Sequence, residues 1–301
     1  MALSFRPRAD AIDCRSPALG GSLPAMVYLP AGYARTHRRY PVVYFLHGLP
    51  AGRGTYRTLG FVAAAIARAR YRAIVVIPQG ARRAGDDREY LDWSPREDWP
   101  RAIAHDLPAC VDRRYRTIAT REGRVLAGLS AGGYGAFNIG LRHLGTFAAV
   151  ESWSGYFAAT NPAGTAYLDL GSPRANAAAR VPRGSRLARE LAAHPSYIAF
   201  YVGRSDRLFY ADNASFAAAL RADGIPHRYR TYPGGHATSL WAAHAQAWLE
   251  EALAYLAKIR ARAAMASARA GGAAGCGGSD LPAARTSPRR VGRARACRAA
   301  G

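Results

Sequence analysis

Short apolar runs recur along this chain, and the gaps between most of them are long enough to hold a helix. The runs occupy residues 26–29, 42–46, 74–77, 125–127, 147–150 and 198–202. Runs this short, without polar alternation, fit strands covered on both faces of a sheet. Residues 227–232 read as a further strand. Segments 61–69, 100–111, 211–220 and 239–259 fit helices, with Asp98 as the expected N-cap of the second and Pro100 in its first turn. Strand and helix in alternation predict an α/β fold with a mostly parallel central sheet and helices on both faces. The expected domain spans residues 23–262, after an N-terminal segment 1–22. The rhythm breaks at 156–195, rich in Ala, Gly, Pro and Arg. That stretch is either a lid over a site or a long surface connection.

Length and composition agree with one large domain: 301 residues, half of them apolar. The net charge of +22 invites a nucleic-acid reading. However, 41 arginines stand against one lysine, Lys258, alongside abundant alanine. This is the bias of a GC-rich coding sequence, and no RNA- or DNA-binding motif accompanies it, so no specific nucleic-acid partner is expected. Residues 263–301 are Ala/Gly/Arg/Pro-rich without apolar periodicity and are expected to form a disordered basic tail. Cys14, Cys110, Cys276 and Cys297 show no metal spacing, and no disulfide framework is expected in a chain this long. The first residues lack an apolar signal core and no run reaches membrane-spanning length, so the expected location is cytoplasmic.

The chemistry is concentrated after three of the strands. Gly128-Leu129-Ser130-Ala131-Gly132 follows the run 125–127 and precedes a small-residue helical stretch. A G-x-S-x-G turn between strand and helix lifts the serine hydroxyl clear of the sheet, and the glycines fill places where a side chain has no room. Asp206 follows the strand 198–202, and His236 follows the strand 227–232. Nucleophile, acid and histidine therefore come in the order this elbow requires, each past the carboxyl end of a strand, where open α/β sheets build their sites. His236 would take the Ser130 proton, and Asp206 would orient the imidazole. The oxyanion of acyl transfer needs fixed backbone donors. One donor is expected from Ala131 and a second from the loop His47-Gly48-Leu49-Pro50; Pro50 has no N–H, which makes Leu49 the better candidate.

Competing roles exist at several of these positions. Asp212 is a second candidate for the acid, and Asp206 also suits a helix cap. His47 is either catalytic or, more simply, a packed strand-end histidine. Trp153, Tyr156 and Trp241 either line an acyl pocket or belong to the core.

Taken together, Tyr28-Leu29-Pro30-Ala31-Gly32-Tyr33, the run from Tyr40 to Gly48, and the elbow through Gly133-Tyr134-Gly135-Ala136-Phe137 resemble the esterase D type of α/β-hydrolase. That group is similar to S-formylglutathione hydrolases, feruloyl esterases and mycobacterial mycolyltransferases. Tyr115-Arg116-Thr117, Ser152-Trp153-Ser154-Gly155 and Gly224-Ile225-Pro226-His227 add to the match. The resemblance implies the α/β-hydrolase fold, a Ser130–Asp206–His236 triad and an oxyanion hole at Leu49 and Ala131. After His236 the chain keeps a tryptophan, Trp241, but changes the neighbour to Ala237. The expected activity is hydrolysis of small carboxylic esters through an acyl-enzyme on Ser130, with no metal or organic cofactor. The alternatives are an acyltransferase using the same residues with an alcohol acceptor, and a non-catalytic binding relative.

Overall fold

Every residue of Val42–Leu46 and Ile74–Pro78 is buried in the computed structural model, which describes residues 8–81, 89–160 and 166–273. In chain order the strands are β1 (Arg8–Ser16), β2 (Gly21–Leu29), β3 (Val42–Leu46), β4 (Ile74–Pro78), β5 (Arg124–Leu129), β6 (Ala149–Trp153), β7 (Tyr197–Gly203) and β8 (Arg228–Tyr232). They form one sheet in the order β1-β2-β4-β3-β5-β6-β7-β8. Strands β3 to β8 run parallel, while β2 is antiparallel to both β1 and β4. The helices are α1 (Gly60–Arg68), α2 (Trp99–Arg101), α3 (Leu107–Arg114), α4 (Ala131–Gly140), α5 (Pro173–Ala178), α6 (Gly184–Ala193), α7 (Tyr210–Ala222) and α8 (Thr238–Ala273).

Alternation along the strands divides the core in two. Val42, Tyr44 and Leu46 face a layer that includes Phe137 of α4 and Phe216 of α7. Val43 and Phe45 face the opposite layer, with Val62 and Ile66 of α1 and Trp248 and Leu249 of α8. Each such side chain contributes roughly 1.5–3 kcal/mol by leaving water. The result is what the alternating pattern implies, helices covering both faces of a mostly parallel sheet, and it agrees with the α/β-hydrolase fold that the resemblance implies.

Four details differ from the sequence reading. Residues 8–16, assigned above to an N-terminal segment, form the edge strand β1, paired with β2 from Arg8↔Leu29 to Ser16↔Gly21. Cys14 on β1 and Cys110 on α3 form a disulfide, with Cα atoms 5.8 Å apart, which corrects the expectation of no disulfide. Asp98 does cap α2, accepting the Arg101 N–H at 2.9 Å. The chain then passes through a wide π turn, Ala102–Asp106, where the Leu107 N–H reaches back to Ala102 O. Pro108, next in line, has no N–H to offer Ala104. Finally, α8 continues to Ala273, so residues 263–273 are helical rather than a disordered tail. Residues 1–261 make up one compact unit and 262–301 another. The rest of the expected tail, 274–301, lies outside the described residues.

The stretch 156–195 is fastened to α4 rather than loose. Tyr134 Oη donates to Ala179 O at 2.7 Å, and Arg142 reaches Arg180 O at 2.8 Å. Phe157, Ala159, Val181 and Leu187 are buried in the core. Its described parts are thus anchored at these points, while Pro173–Ala178 has no buried residue; residues 161–165 lie outside the described part. Among the described residues no helix is long and apolar enough to cross a membrane.

Candidate active site

The end of β5 shows why glycine flanks Ser130. A Cβ at Gly128 would fall 2.3 Å from Gly132 O, and one at Gly132 would fall 2.2 Å from Leu46 O. Neither position admits a side chain. Ser130 itself takes φ 53° and ψ −124°, a conformation that L-residues rarely adopt. Its N–H donates to Trp153 O at 2.8 Å, which ties the turn to the neighbouring strand β6.

Three side chains converge there. His236 Nε2 lies 3.0 Å from Ser130 Oγ, and His236 Nδ1 lies 2.9 Å from Asp206 Oδ2. The other Asp206 oxygen accepts the Leu208 and Phe209 N–H groups, each at 3.1 Å. Asp206 is buried at 1% exposure, whereas the imidazole of His236 keeps 21% of its surface open. An enclosed carboxylate facing Nδ1 holds the proton on that nitrogen, leaving Nε2 as acceptor for the serine hydroxyl. Asp212 does not meet His236. It accepts the Phe157 N–H at 3.2 Å, and burial pushes its carboxyl pKa up.

Backbone packing sets the Asp206–His236 pair. Gly203 ends β7 so close to the loop after β8 that a Cβ would sit 2.3 Å from Gly234 O. Ser205 N–H donates to Gly234 O at 2.9 Å, and Arg204 N–H to Tyr232 O at 2.7 Å. The loops carrying Asp206 and His236 are thereby stitched together.

On the other side of Ser130, Gly48 approaches so closely that a Cβ there would lie 3.0 Å from Ser130 Cβ. The loop after β3 thus runs beside Ser130, and Leu49 is the next residue along it. Ala131 is the first residue of α4, where N–H groups have no intrahelical acceptor and the helix end carries partial positive charge. His47 is wholly buried. Its Nδ1–H donates to Gly48 O at 2.8 Å, and its Nε2 accepts the Gly80 N–H at 2.8 Å. Burial lowers its pKa to about 4, so it stays neutral with both nitrogens committed. It is a packed strand-end histidine that shapes the loop and does not face the hydroxyl.

The three aromatic candidates separate. Trp153 belongs to the core on the α8 side, fully buried, wedged between Phe45 and Trp248 with its indole N–H on Glu151. It lines no part of the site, which corrects the acyl-pocket reading for this residue. Trp241 stands edge-on to His236 and donates its indole N–H to Ser154 Oγ at 3.1 Å. Tyr156 lines a cavity of about 430 Å³ together with Phe209, Leu208, Tyr167 and Asp212. Phe209 also touches the His236 ring, so this cavity adjoins the three converging side chains.

Glu89 escaped the sequence reading. It is buried, and its Oε2 accepts the Tyr156 hydroxyl at 2.5 Å. Both Glu89 and Tyr90 have positive φ, 48° and 52°, which no local sequence signal announces. Among the described residues no three His, Cys, Asp or Glu side chains group as metal ligands.

Against known proteins, residues 16–250 match the Esterase family, described as "Putative esterase". This chain belongs to that family. An esterase of Mycobacterium tuberculosis is 26% identical over 255 residues, covering 76% of this chain and 56% of the relative. The chain thus spans a little over half the length of the curated relatives it matches. In fold it is similar to an S-formylglutathione hydrolase from Agrobacterium tumefaciens, at 20% identity and TM-score 0.68, covering 84% of this chain and 97% of the other. It is also similar to a ferulic acid esterase from Anaeromyces mucronatus, at 18% identity and TM-score 0.62, covering 85% and 94%.

Proposed function

We propose that this protein is a serine esterase that hydrolyses small carboxylic esters through an acyl-enzyme on Ser130. The observation that carries this reading is the unbroken hydrogen-bond line from Ser130 Oγ through His236 to Asp206, at 3.0 and 2.9 Å. His236 Nε2 accepts the hydroxyl proton as Oγ attacks the ester carbonyl. The Leu49 and Ala131 N–H groups receive the developing oxyanion. The imidazolium, steadied by Asp206, then protonates the departing alkoxide. Water next attacks the acyl carbonyl with its proton going to His236, and Ser130 Oγ leaves with that proton. The partly open imidazole gives water a path to Nε2.

The cavity beside Phe209 offers room for one side of the ester, with Tyr156 and Tyr167 as aromatic walls. The Cys14–Cys110 disulfide favours maturation in an oxidising compartment, since such bonds are rare in a reducing cytosol.

The test is labelling with a fluorophosphonate probe. One adduct per chain, located at Ser130 by peptide mass analysis, is expected. S130A should lose both the adduct and p-nitrophenyl ester turnover, with a fall on the order of 10⁴–10⁶. Labelling elsewhere, or an active S130A, would overturn the reading.

A further inference from the structure

At the amino ends of β3 and β4, a strand's length of about 17 Å from the Ser130 edge, five arginines surround one cavity. Arg38 and Arg39 lie just ahead of β3, Arg70 and Arg72 just ahead of β4, and Arg260 comes from α8. The cavity holds about 450 Å³, with Tyr71 in its wall. Arginine is common throughout this chain, so its presence alone means little. What sets this place apart is convergence with little compensation: Glu122 acts on Arg260 from a distance and Glu250 accepts the Arg70 backbone N–H at 2.7 Å, but neither forms an ion pair with a guanidinium here. Among the described residues, no carboxylate lies within 4 Å of any of these five guanidinium groups, although Arg124, Arg228 and Arg230 elsewhere each have one.

Three of the five are held in place by backbone carbonyls. Arg39 donates to Thr117 O at 3.1 Å, Arg72 to Ala31 O at 2.8 Å, and Arg260 to Glu122 O at 2.7 Å. Each of these bonds uses one of five N–H donors, which leaves the planar forks oriented and able to bind. Arg38 and Arg70 complete the ring. Like charges gathered in a concave wall focus the field on the space between them. A single carboxylate would answer only one of the five. A group with several negative charges and many acceptor oxygens matches the whole set, and the guanidinium fork pairs with phosphate oxygens two at a time.

We propose that this cavity binds a clustered phosphate group, remote from and independent of the ester site. Two sources share that chemistry, a free polyphosphate and a polyphosphorylated lipid headgroup, and the experiment separates them.

The full chain is titrated calorimetrically with sodium tripolyphosphate in 0.15 M NaCl. R38Q/R70Q is the informative variant, because neither side chain is tied to a backbone carbonyl. R174Q/R189Q serves as the control, removing the same charge from exposed sites on α5 and α6. One tripolyphosphate per chain is expected, weakened at least tenfold in R38Q/R70Q and less than twofold in the control. In a second arm the proteins are sedimented with phosphatidylcholine vesicles with and without phosphatidylinositol bisphosphate. Sedimentation that needs the phosphorylated lipid and is lost in R38Q/R70Q identifies the headgroup; tripolyphosphate binding alone identifies the free ligand. Turnover of p-nitrophenyl acetate should be unchanged in both variants, which also shows that they fold. No binding in either arm, or equal losses in the two variants, overturns the proposal.

Discussion

Trp241 stands at 90° to His236, with the two ring centroids 5.1 Å apart. Its indole N–H is meanwhile fixed on Ser154 Oγ. The edge of a buried ring thus backs the imidazole, with Phe209 against it as a second aromatic contact. A histidine held in this way meets the serine hydroxyl at a fixed angle, and in the proposed mechanism geometry at that contact governs proton transfer.

W241A should therefore lower kcat while leaving KM for a small ester nearly unchanged. A displacement of about 1 Å can cost on the order of 10²-fold. W241F, which keeps most of the ring and loses the bond to Ser154, should fall between wild type and W241A. Steady-state kinetics on p-nitrophenyl acetate decide it; an effect confined to KM would make Trp241 a substrate contact instead.

Asp206 and Asp212 should differ sharply. D206N removes the charge facing His236 Nδ1 and permits the wrong tautomer, with an expected loss of about 10⁴ in kcat. D212N leaves the Phe157 N–H with an acceptor and should retain most of the activity. Matching circular dichroism spectra would show that both variants are folded.

Glu151 gives the fold a dependence on pH. It is completely buried on β6. One oxygen accepts the Trp153 indole N–H, and the other has no hydrogen-bond partner among the described residues. Burial raises its pKa well above the ordinary carboxylate range. A raised folded-state pKa means that this group's contribution to stability is present below the unfolded value and is lost as pH rises through the folded one. E151Q keeps the acceptor and cannot ionise. Its melting temperature should therefore gain on that of wild type as the pH is raised from acid to alkaline conditions. A gap that shrinks with rising pH would show that Glu151 is ionised in the fold.

The disulfide should be a large term in stability. It joins residues 96 apart, and constraining an unfolded loop of that size is worth on the order of 4–5 kcal/mol in the chain-entropy account. C14A/C110A should shift the urea midpoint down accordingly. If the untreated protein carries two free thiols at these positions by mass analysis after alkylation, the bond is absent and the compartment argument goes with it.

Legibility followed physical visibility. Seven of the strands have apolar or alternating runs, and the elbow carries glycines that steric crowding demands, so both could be read from the chain. Strand β1 could not, because an edge strand with the sequence Arg-Ala-Asp-Ala-Ile-Asp-Cys-Arg-Ser buries little and looks like a loop. For Trp153 the sequence leaves pocket and core open, because it lies close in sequence to the site. Alternation along β6 puts it on the same face as Glu151, turned toward α8. The end of α8 was missed for the opposite reason. Residues 263–273 have no apolar face to bury, yet alanine-rich sequence extends an existing helix without one, since nucleation has already been met. No spacing rule could pair Cys14 with Cys110, because only the docking of α3 beside β1 brings them together.

The stitching of Gly203 and Ser205 to Gly234 divides the three converging side chains mechanically. Asp206 and His236 ride on one joined pair of loops, while Ser130 rides on the β5 elbow. Small breathing of the sheet between β5 and β7 would register in the distance from His236 Nε2 to Ser130 Oγ and leave the Asp206–His236 contact intact. The adjustable joint in the line is thus the one across which the proposed mechanism moves its first proton, and the Asp206 carboxylate travels with the imidazole.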